Sequence, residues 1–156
     1  METTRQVSVF LENKPGRLAN VLSALARERV NVIALTIMDS HEHSVLRLVT
    51  SDVPRTVQVL NSLNASHTES EVLMVELRNQ PGALAHVCEQ LAGAHLNIDH
   101  AYVSSGGKNG KVFGIFKVSN MQKAMQALAA PAANNRRAER RIPRREQLNF
   151  TAGKKA

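Results

Sequence analysis

Two asparagines held eighteen residues apart are the side chains best suited to chemistry in this chain, and the pair occurs twice. Asn13 opens the segment Asn13-Lys14-Pro15-Gly16-Arg17-Leu18, which returns as Asn79-Gln80-Pro81-Gly82-Ala83-Leu84. Asn31, within Val30-Asn31-Val32, returns as Asn97 within Leu96-Asn97-Ile98, at the same offset of 66 (79 minus 13, 97 minus 31). A carboxamide offers two N–H donors and a carbonyl acceptor, so one Asn can answer either the ammonium or the carboxylate of a free amino acid. A helix beginning at Pro15-Gly16 adds backbone N–H groups and the positive end of its dipole, which favour a carboxylate. Gly16 and Gly82 carry no Cβ, so a ligand can approach the main chain there. The plainer alternative is a helix-starting turn in which Asn caps the helix and Gly solves a backbone problem. Recurrence of both asparagines favours the binding reading, with a second site that can be degenerate, since Lys14 and Arg17 are charged where Gln80 and Ala83 are not.

The repeat fixes the elements that must position these residues. Val7, Val9 and Leu11 alternate with polar neighbours as in a half-buried strand, and Leu18, Val21, Leu22, Leu25 and Ala26 follow helical spacing. Pro15 suits the first helical position, and Asn31 ends that helix. Val32 to Met38 and Val45 to Val49 form a hairpin about the polar turn 39–43, and Pro54 opens a second helix with Val57, Leu60 and Leu63 on one face. The second copy repeats this order with strand Val72 to Leu77, helix Pro81 to Ala94, strands Ile98 to Val103 and Val112 to Val118, and helix Met121 to Leu128. The expected class is α+β: two ferredoxin-like βαββαβ units in tandem, each an antiparallel sheet with helices on one face. The closing fourth strand is expected to be missing or irregular, because residues 64–71 are too polar for a core strand, and Ser66 to Ser70 read as either a short edge strand or linker. In the second copy the corresponding stretch, 129–141, is rich in Pro, Asn and Arg.

These residues carry a resemblance. A βαββαβ unit of this length, with N-x-P-G-x-L at the junction of strand one and helix one and an Asn where helix one turns into strand two, resembles the ACT domain, a family of small-molecule sensing modules. The similarity covers residues 5 to 128 as two copies and is nearest to the serine-sensing ACT domain of phosphoglycerate dehydrogenase, in which two asparagines at this spacing hold the effector. It implies ligands between two ACT units, at the strand-to-helix loop of one and the second strand of its neighbour. The implied binding residues are Asn13, Pro15, Gly16, Leu18 and Asn31, and Asn79, Pro81, Gly82, Leu84 and Asn97. The chain departs from that relative at Leu11 and Leu77, where a ligand-contacting His is replaced. The domain limits read 5–70 for the first ACT domain, 71–130 for the second and 131–156 for a basic, flexible tail.

Charge supports that division. Of the formal +7, +6 lies in residues 131–156, which hold eight Lys and Arg against Glu139 and Glu146. A tail so poor in large apolar residues cannot order itself by burial, and reads as a solubilising extension or a nonspecific tether to nucleic acid or an acidic partner. Two units of this size are each marginal, so they are expected to pack on each other or form a homodimer. In a 4-1-3-2 strand order, pairing both second-strand edges within one chain would consume all eight linker residues, so either strand four is sacrificed or the edges pair between chains.

Rival signals are weaker. Lys111-Val112-Phe113-Gly114-Ile115-Phe116-Lys117-Val118 partly matches an RNA-recognition strand but lacks its second-position Gly and final aromatic. His41-Glu42-His43 lacks further metal ligands, and residues 105–112 fail the phosphate-loop pattern at Ser105 and Val112. Cys88, the sole cysteine, excludes an internal disulfide and suits a reducing compartment. No signal peptide or membrane span is read, and no catalytic constellation emerges. The expectation is a cytoplasmic, cofactor-free, non-enzymatic amino-acid sensor that passes occupancy to a partner protein. The alternative is an RNA-binding or protein-interaction adaptor using the sheet and the arginine-rich tail.

Overall fold

The computed structural model describes residues 1–39, 43–104 and 111–129. Turn residues 40–42, which include His41 and Glu42, the hairpin tip 105–110 and the basic segment 130–156 lie outside the described residues. The elements run β1 (Glu2–Glu12), α1 (Arg17–Arg27), β2 (Val32–Asp39), β3 (His43–Thr50), α2 (Val53–Ser62), β4 (His67–Arg78), α3 (Ala83–Gly93), β5 (Ile98–Val103), β6 (Lys111–Val118) and α4 (Met121–Ala129). This is the expected βαββα order twice over. Helix α1 stops earlier than expected: Arg29, at φ 57, takes the left-handed conformation that closes a helix, and its equivalent His95, at φ 54, does the same after α3. Asn31 therefore sits in the return to β2 rather than at the helix end.

All six strands form one antiparallel sheet in the order β2-β3-β1-β4-β6-β5. The two copies are joined through β1 and β4, and strand four of the first copy is kept rather than sacrificed as linker. Residues 67–70 are strand four of the first copy and run without a break into strand one of the second, so that β4 is twelve residues long. Its leading half pairs with β1 (Val9 opposite His67, Val7 opposite Glu69), and β1 returns the arrangement with Glu2 opposite Met74 and Thr4 opposite Val72. The N-terminal end of β1 thus flanks strand one of the second copy. The second-strand edges β2 and β5 stand at the two ends of the sheet.

Strand alternation divides the core into three parts. Val7, Val9, Leu46 and Leu48 pack under α1 and α2 with Leu25 and Leu60. Leu73, Leu77, Phe116 and Val118 pack under α3 and α4 with Leu91 and Ala124. The opposite face buries Ala34, Val49, Val72, Met74 and Ile115 against Ile33, Tyr102 and Phe113. That face can be buried without helices because the sheet curls, bringing β5 back across β1. There Gln6, 1% exposed, accepts hydrogen bonds from His100 Nε2 at 3.0 Å and Tyr102 Oη at 3.1 Å. In a flat sheet those strands would lie about 14 Å apart.

Candidate functional site

Each copy builds the same turn between its first strand and first helix. After β1, the Lys14 N–H donates to Glu12 O at 2.8 Å, Arg17 N to Lys14 O at 3.3 Å and Asn20 N to Gly16 O at 2.9 Å. After β4, Gln80 N donates to Arg78 O at 2.8 Å, Ala83 N to Gln80 O at 3.3 Å and His86 N to Gly82 O at 2.9 Å. Gly16 and Gly82 both take φ 86, which an L side chain adopts only with strain, so glycine is a backbone requirement here. Pro15 and Pro81 accordingly lie two residues before the helix, not at its first position.

The N-cap residues of α1 and α3 are Gly16 and Gly82, which have no side chain to cap with. In contrast, Asp52 Oδ1 accepts from Arg55 N at 2.9 Å at the start of α2, and Asn120 Oδ1 accepts from Lys123 N at 2.9 Å at α4. The N-cap position of each repeat helix is thus a glycine, not the Asn13 or Asn79 considered for it.

A cavity lies against each turn. The first, about 400 Å³, is lined by Asn13, Pro15, Gly16 and Leu18 together with Ile37 of β2 and Ser44 of β3. The second, about 530 Å³, is lined by Pro81 and Gly82 with Glu76, Arg78, Gln80 and His86. A third, about 240 Å³, lies on the other side of the first turn and reaches Leu63, Asn64 and Ser66 beyond α2. Asn79 and Leu84 are outside the second cavity's lining, and Leu84 is exposed.

Asn31 and Asn97 are elsewhere. Asn31 precedes Val32, which stands opposite Thr50, whereas Asn13 follows Glu12, which stands opposite His43 at the far end of β3. At about 3.4 Å per residue the two asparagines of one copy are separated by more than 20 Å along the sheet. Each ties the second strand to the end of the third: Asn31 N donates to Ser51 Oγ at 3.0 Å and Ser51 N to Asn31 O at 2.9 Å. Asn97 N and Ser119 repeat this at 3.3 and 3.1 Å, and Asn97 Nδ2 also donates to Asp99 Oδ1 at 3.1 Å. Within a copy the structure brings together Asn13, Pro15, Gly16 and Leu18, and does not bring Asn31 to them.

Glu12 is the residue of the first turn that the motif does not mark, and it joins the two charges, Lys14 and Arg17, that distinguish this turn from the second. Glu12 Oε2 accepts from Lys14 Nζ and from Arg17 Nη2, both at 2.9 Å. These hydrogen bonds, Lys14 first, hold the Glu12 carboxyl below its ordinary range. The repeat itself flags this triad, because Arg78, Gln80 and Ala83 occupy the equivalent positions. As for the rival reading, Phe116 is fully buried under the helices and Phe113 packs into the core of the curled face, so neither offers an open ring for base stacking. Among the described residues there is no group of three metal-ligating side chains, and no helix is long and apolar enough to cross a membrane.

Known proteins match this architecture. The family model of the ACT domain pair matches residues 2–134. A Bacteroides thetaiotaomicron protein known from its crystal structure is 31% identical, with a TM-score of 0.74, covering 81% of this chain and 87% of its own. The regulatory subunit of aspartate kinase from Thermus thermophilus, in ligand-free form, shares the fold at 13% identity and TM-score 0.60, over 83% of this chain and 96% of its own. That from Thermus flavus does so at 15% identity and TM-score 0.57, over 82% and 94%. No curated protein matches the chain.

Proposed function

The chain belongs to the ACT domain pair family, and from that premise we propose that it is a regulatory sensor that binds a free amino acid at its strand-to-helix turns and passes the occupancy to a partner protein. ACT pairs are ligand-binding regulatory modules, and the identity of ligand and partner is the part proposed. One observation carries it: both repeats present a left-handed glycine at the N-cap of the first helix and a cavity against that turn. Such a turn offers N–H donors and a positive dipole end to a carboxylate. The domains proposed are 5–70 and 71–130, with 131–156 as a basic tail. In the serine-sensing ACT arrangement the second strand of a neighbouring unit, bearing Asn31 or Asn97, completes the site, and a homodimer is proposed as the assembly. The regulatory mechanism is a population shift, in which ligand favours one arrangement and the partner reads it.

A thermal-shift screen of the full-length protein against the twenty amino acids, repeated with Asn13→Ala and Asn79→Ala, tests this reading. Ligand at about 100 times its dissociation constant should add about 2.7 kcal/mol. A shift with one amino acid, removed by one substitution, identifies the working turn. Absence of any shift would overturn the sensor reading and leave an interaction module, in which case RNA affinity lost on deleting residues 131–156 becomes the next measurement.

A further inference from the structure

The second cavity includes the counterpart of the third. Phe10, Leu11, Asn20 and Val21 line the cavity of about 240 Å³, and their equivalents 66 residues on, Glu76, Leu77, His86 and Val87, line that of about 530 Å³. The smaller cavity has a further wall in the run Leu63, Asn64, Ala65 and Ser66, which follows α2. Ala65 packs on the core there, and Ser66 O accepts from Phe10 N at 2.9 Å. Beyond the hairpins the repeat offset becomes 68, fixed by the helix caps Asp52 and Asn120 (120 minus 52) and by Ser51 and Ser119 (119 minus 51), which accept from Asn31 N and Asn97 N. The counterpart of that wall is therefore Pro131, Ala132, Ala133 and Asn134.

We propose that residues 131–134 dock against the second cavity as one of its walls, in the place that residues 63–66 hold in the first repeat, and so anchor the root of the basic segment to the second unit. The inference is independent of the sensor reading, and it carries the limit of the second unit from 130 to 134. Reach allows the docking: α4 lies against β4 as α2 lies against β1, and it ends at Ala129 where α2 ends at Ser62. Pro131 has no N–H with which to continue a helix, so the chain turns off there. Pro131, Ala132 and Ala133 are small and uncharged, suited to cover the buried Leu77 and Val87, and Ala133 repeats Ala65. The family match likewise runs past α4 to 134 and stops before the first arginine of the segment, Arg136. The sheet sets that limit. In the first repeat the chain runs on as β4, with Thr68 opposite Ser8 and Glu69 opposite Val7, whereas the corresponding places beside Met74 and Leu73 are held by Glu2 and Thr3. Arg136 and Arg137, the counterparts of Thr68 and Glu69, find those rungs taken, so the docked segment ends at 134 and the arginines lead away from the sheet.

Paramagnetic labelling of the full-length protein tests the proposal. A nitroxide on Asn134→Cys, in a Cys88→Ala background, should broaden the amide signals of Leu77 and Val87 and spare those of Leu11 and Val21, since antiparallel β1 and β4 put the two cavities at opposite ends of the sheet. Ala133→Asp would press a carboxylate onto an apolar wall and should speed hydrogen exchange at Leu77 and Val87 by at least about tenfold, whereas Ala138→Asp, the same change beyond the docked segment, should leave it unaltered. Absence of broadening, equal broadening in the two repeats, or equal exchange in the two Asp variants would overturn the inference. Broadening in an isotope-labelled copy without nitroxide, mixed with the spin-labelled protein, would overturn it as well, by assigning the cavity to the segment of a second molecule. The sensor reading stands under each of these results.

Discussion

Arg5 and Glu71 stand directly opposite each other in the β1–β4 ladder and are also equivalent positions in the two repeats, 66 residues apart. A pseudo-twofold axis therefore passes between them. Every pairing on one side has its counterpart on the other: Ser8 opposite Thr68 matches Glu2 opposite Met74. Residues 67–70 flank strand one of the first repeat and residues 2–4 flank strand one of the second, which makes the sheet continuous across the axis.

That reciprocity gives the first prediction. Deleting residues 2–4 removes the pairings to Val72, Leu73 and Met74, which belong to the second repeat. The loss should be about 1–3 kcal/mol of stability, from a few ladder hydrogen bonds. Hydrogen exchange should accelerate at Val72 to Met74, 70 residues away in sequence. Unchanged protection there would show that the second repeat closes without β1.

Glycines 16 and 114 should respond to substitution in opposite ways. A Cβ at Gly16 meets nothing within 4 Å, so Gly16→Ala costs only the left-handed backbone, about 1–2 kcal/mol. Asn tolerates that conformation better, and Gly16→Asn should cost less than Gly16→Ala. At Gly114 a Cβ would lie 2.7 Å from Phe116 Cε2 and 3.1 Å from Leu77 Cδ1. The Phe116 ring is fully buried and cannot swing away, so Gly114→Ala should cost about 1–3 kcal/mol and Gly114→Asn more. Urea unfolding of the four variants reads the crossover, and the same ranking at both sites would refute it.

The repeat, the helices and most strands were legible because their apolar residues keep a period that burial imposes: Leu25 and Leu91, both fully buried, are the same position twice. The leading half of β4 was not. His67, Thr68, Glu69 and Ser70 are held by ladder pairing to β1 rather than by burial, and hydrogen bonding between backbones leaves no mark on side-chain pattern. The curl was invisible for a related reason, since the contact of Gln6 with His100 and Tyr102 spans 94 and 96 residues. The motif marked both turns, whereas the separation of Asn13 from Asn31 within a copy was not legible, because spacing along the chain does not show that α1 carries the chain back to the other end of the sheet. Lys14 and Arg17 were legible as charges that the second copy lacks, but their shared partner Glu12 was not, because nothing in the repeat pattern marks a lone carboxylate at a strand end.

Gln6 is where the two halves differ most in chemistry. Its equivalent in the second repeat is Val72, and the equivalents of His100 and Tyr102 are Ala34 and Thr36, so the curl is closed by a polar cluster on one side and by apolar packing on the other. The amide is satisfied in full, its Nε2 donating to Ser8 Oγ at 3.2 Å and Ser70 Oγ at 3.4 Å. Truncation by Gln6→Ala strands the His100 and Tyr102 donors in a half-buried site and should cost about 1–3 kcal/mol. Tyr102→Phe in the same background should then cost less than it does alone, because the lost partner is already gone. Equal costs in the two backgrounds would mean that the Gln6–Tyr102 hydrogen bond contributes nothing.

The same cluster should make stability depend on pH through His100. Burial, and secondarily the positive charge of Arg47 on β3, lowers the His100 pKa; Asp99 beside it opposes this and Lys117 on β6 adds to it. Gln6 on β1 accepts from Nε2, which a neutral ring can satisfy with its single N–H. Above the ordinary value of 6.5 the ring is neutral in folded and unfolded chains alike, and its contribution is intact. As pH falls through 6.5 the unfolded chain takes up the proton first, so stability declines and continues to decline until the lowered folded value is passed. Tyr102, raised by burial, acts in the opposite range: above pH 10 the unfolded chain ionises first and stability falls again. Urea midpoints measured between about pH 5 and 8 should slope downward toward acid in the wild type and distinctly less in His100→Gln, which keeps a donor for Gln6 but does not titrate. Parallel slopes in the two proteins would assign the acid sensitivity to another group.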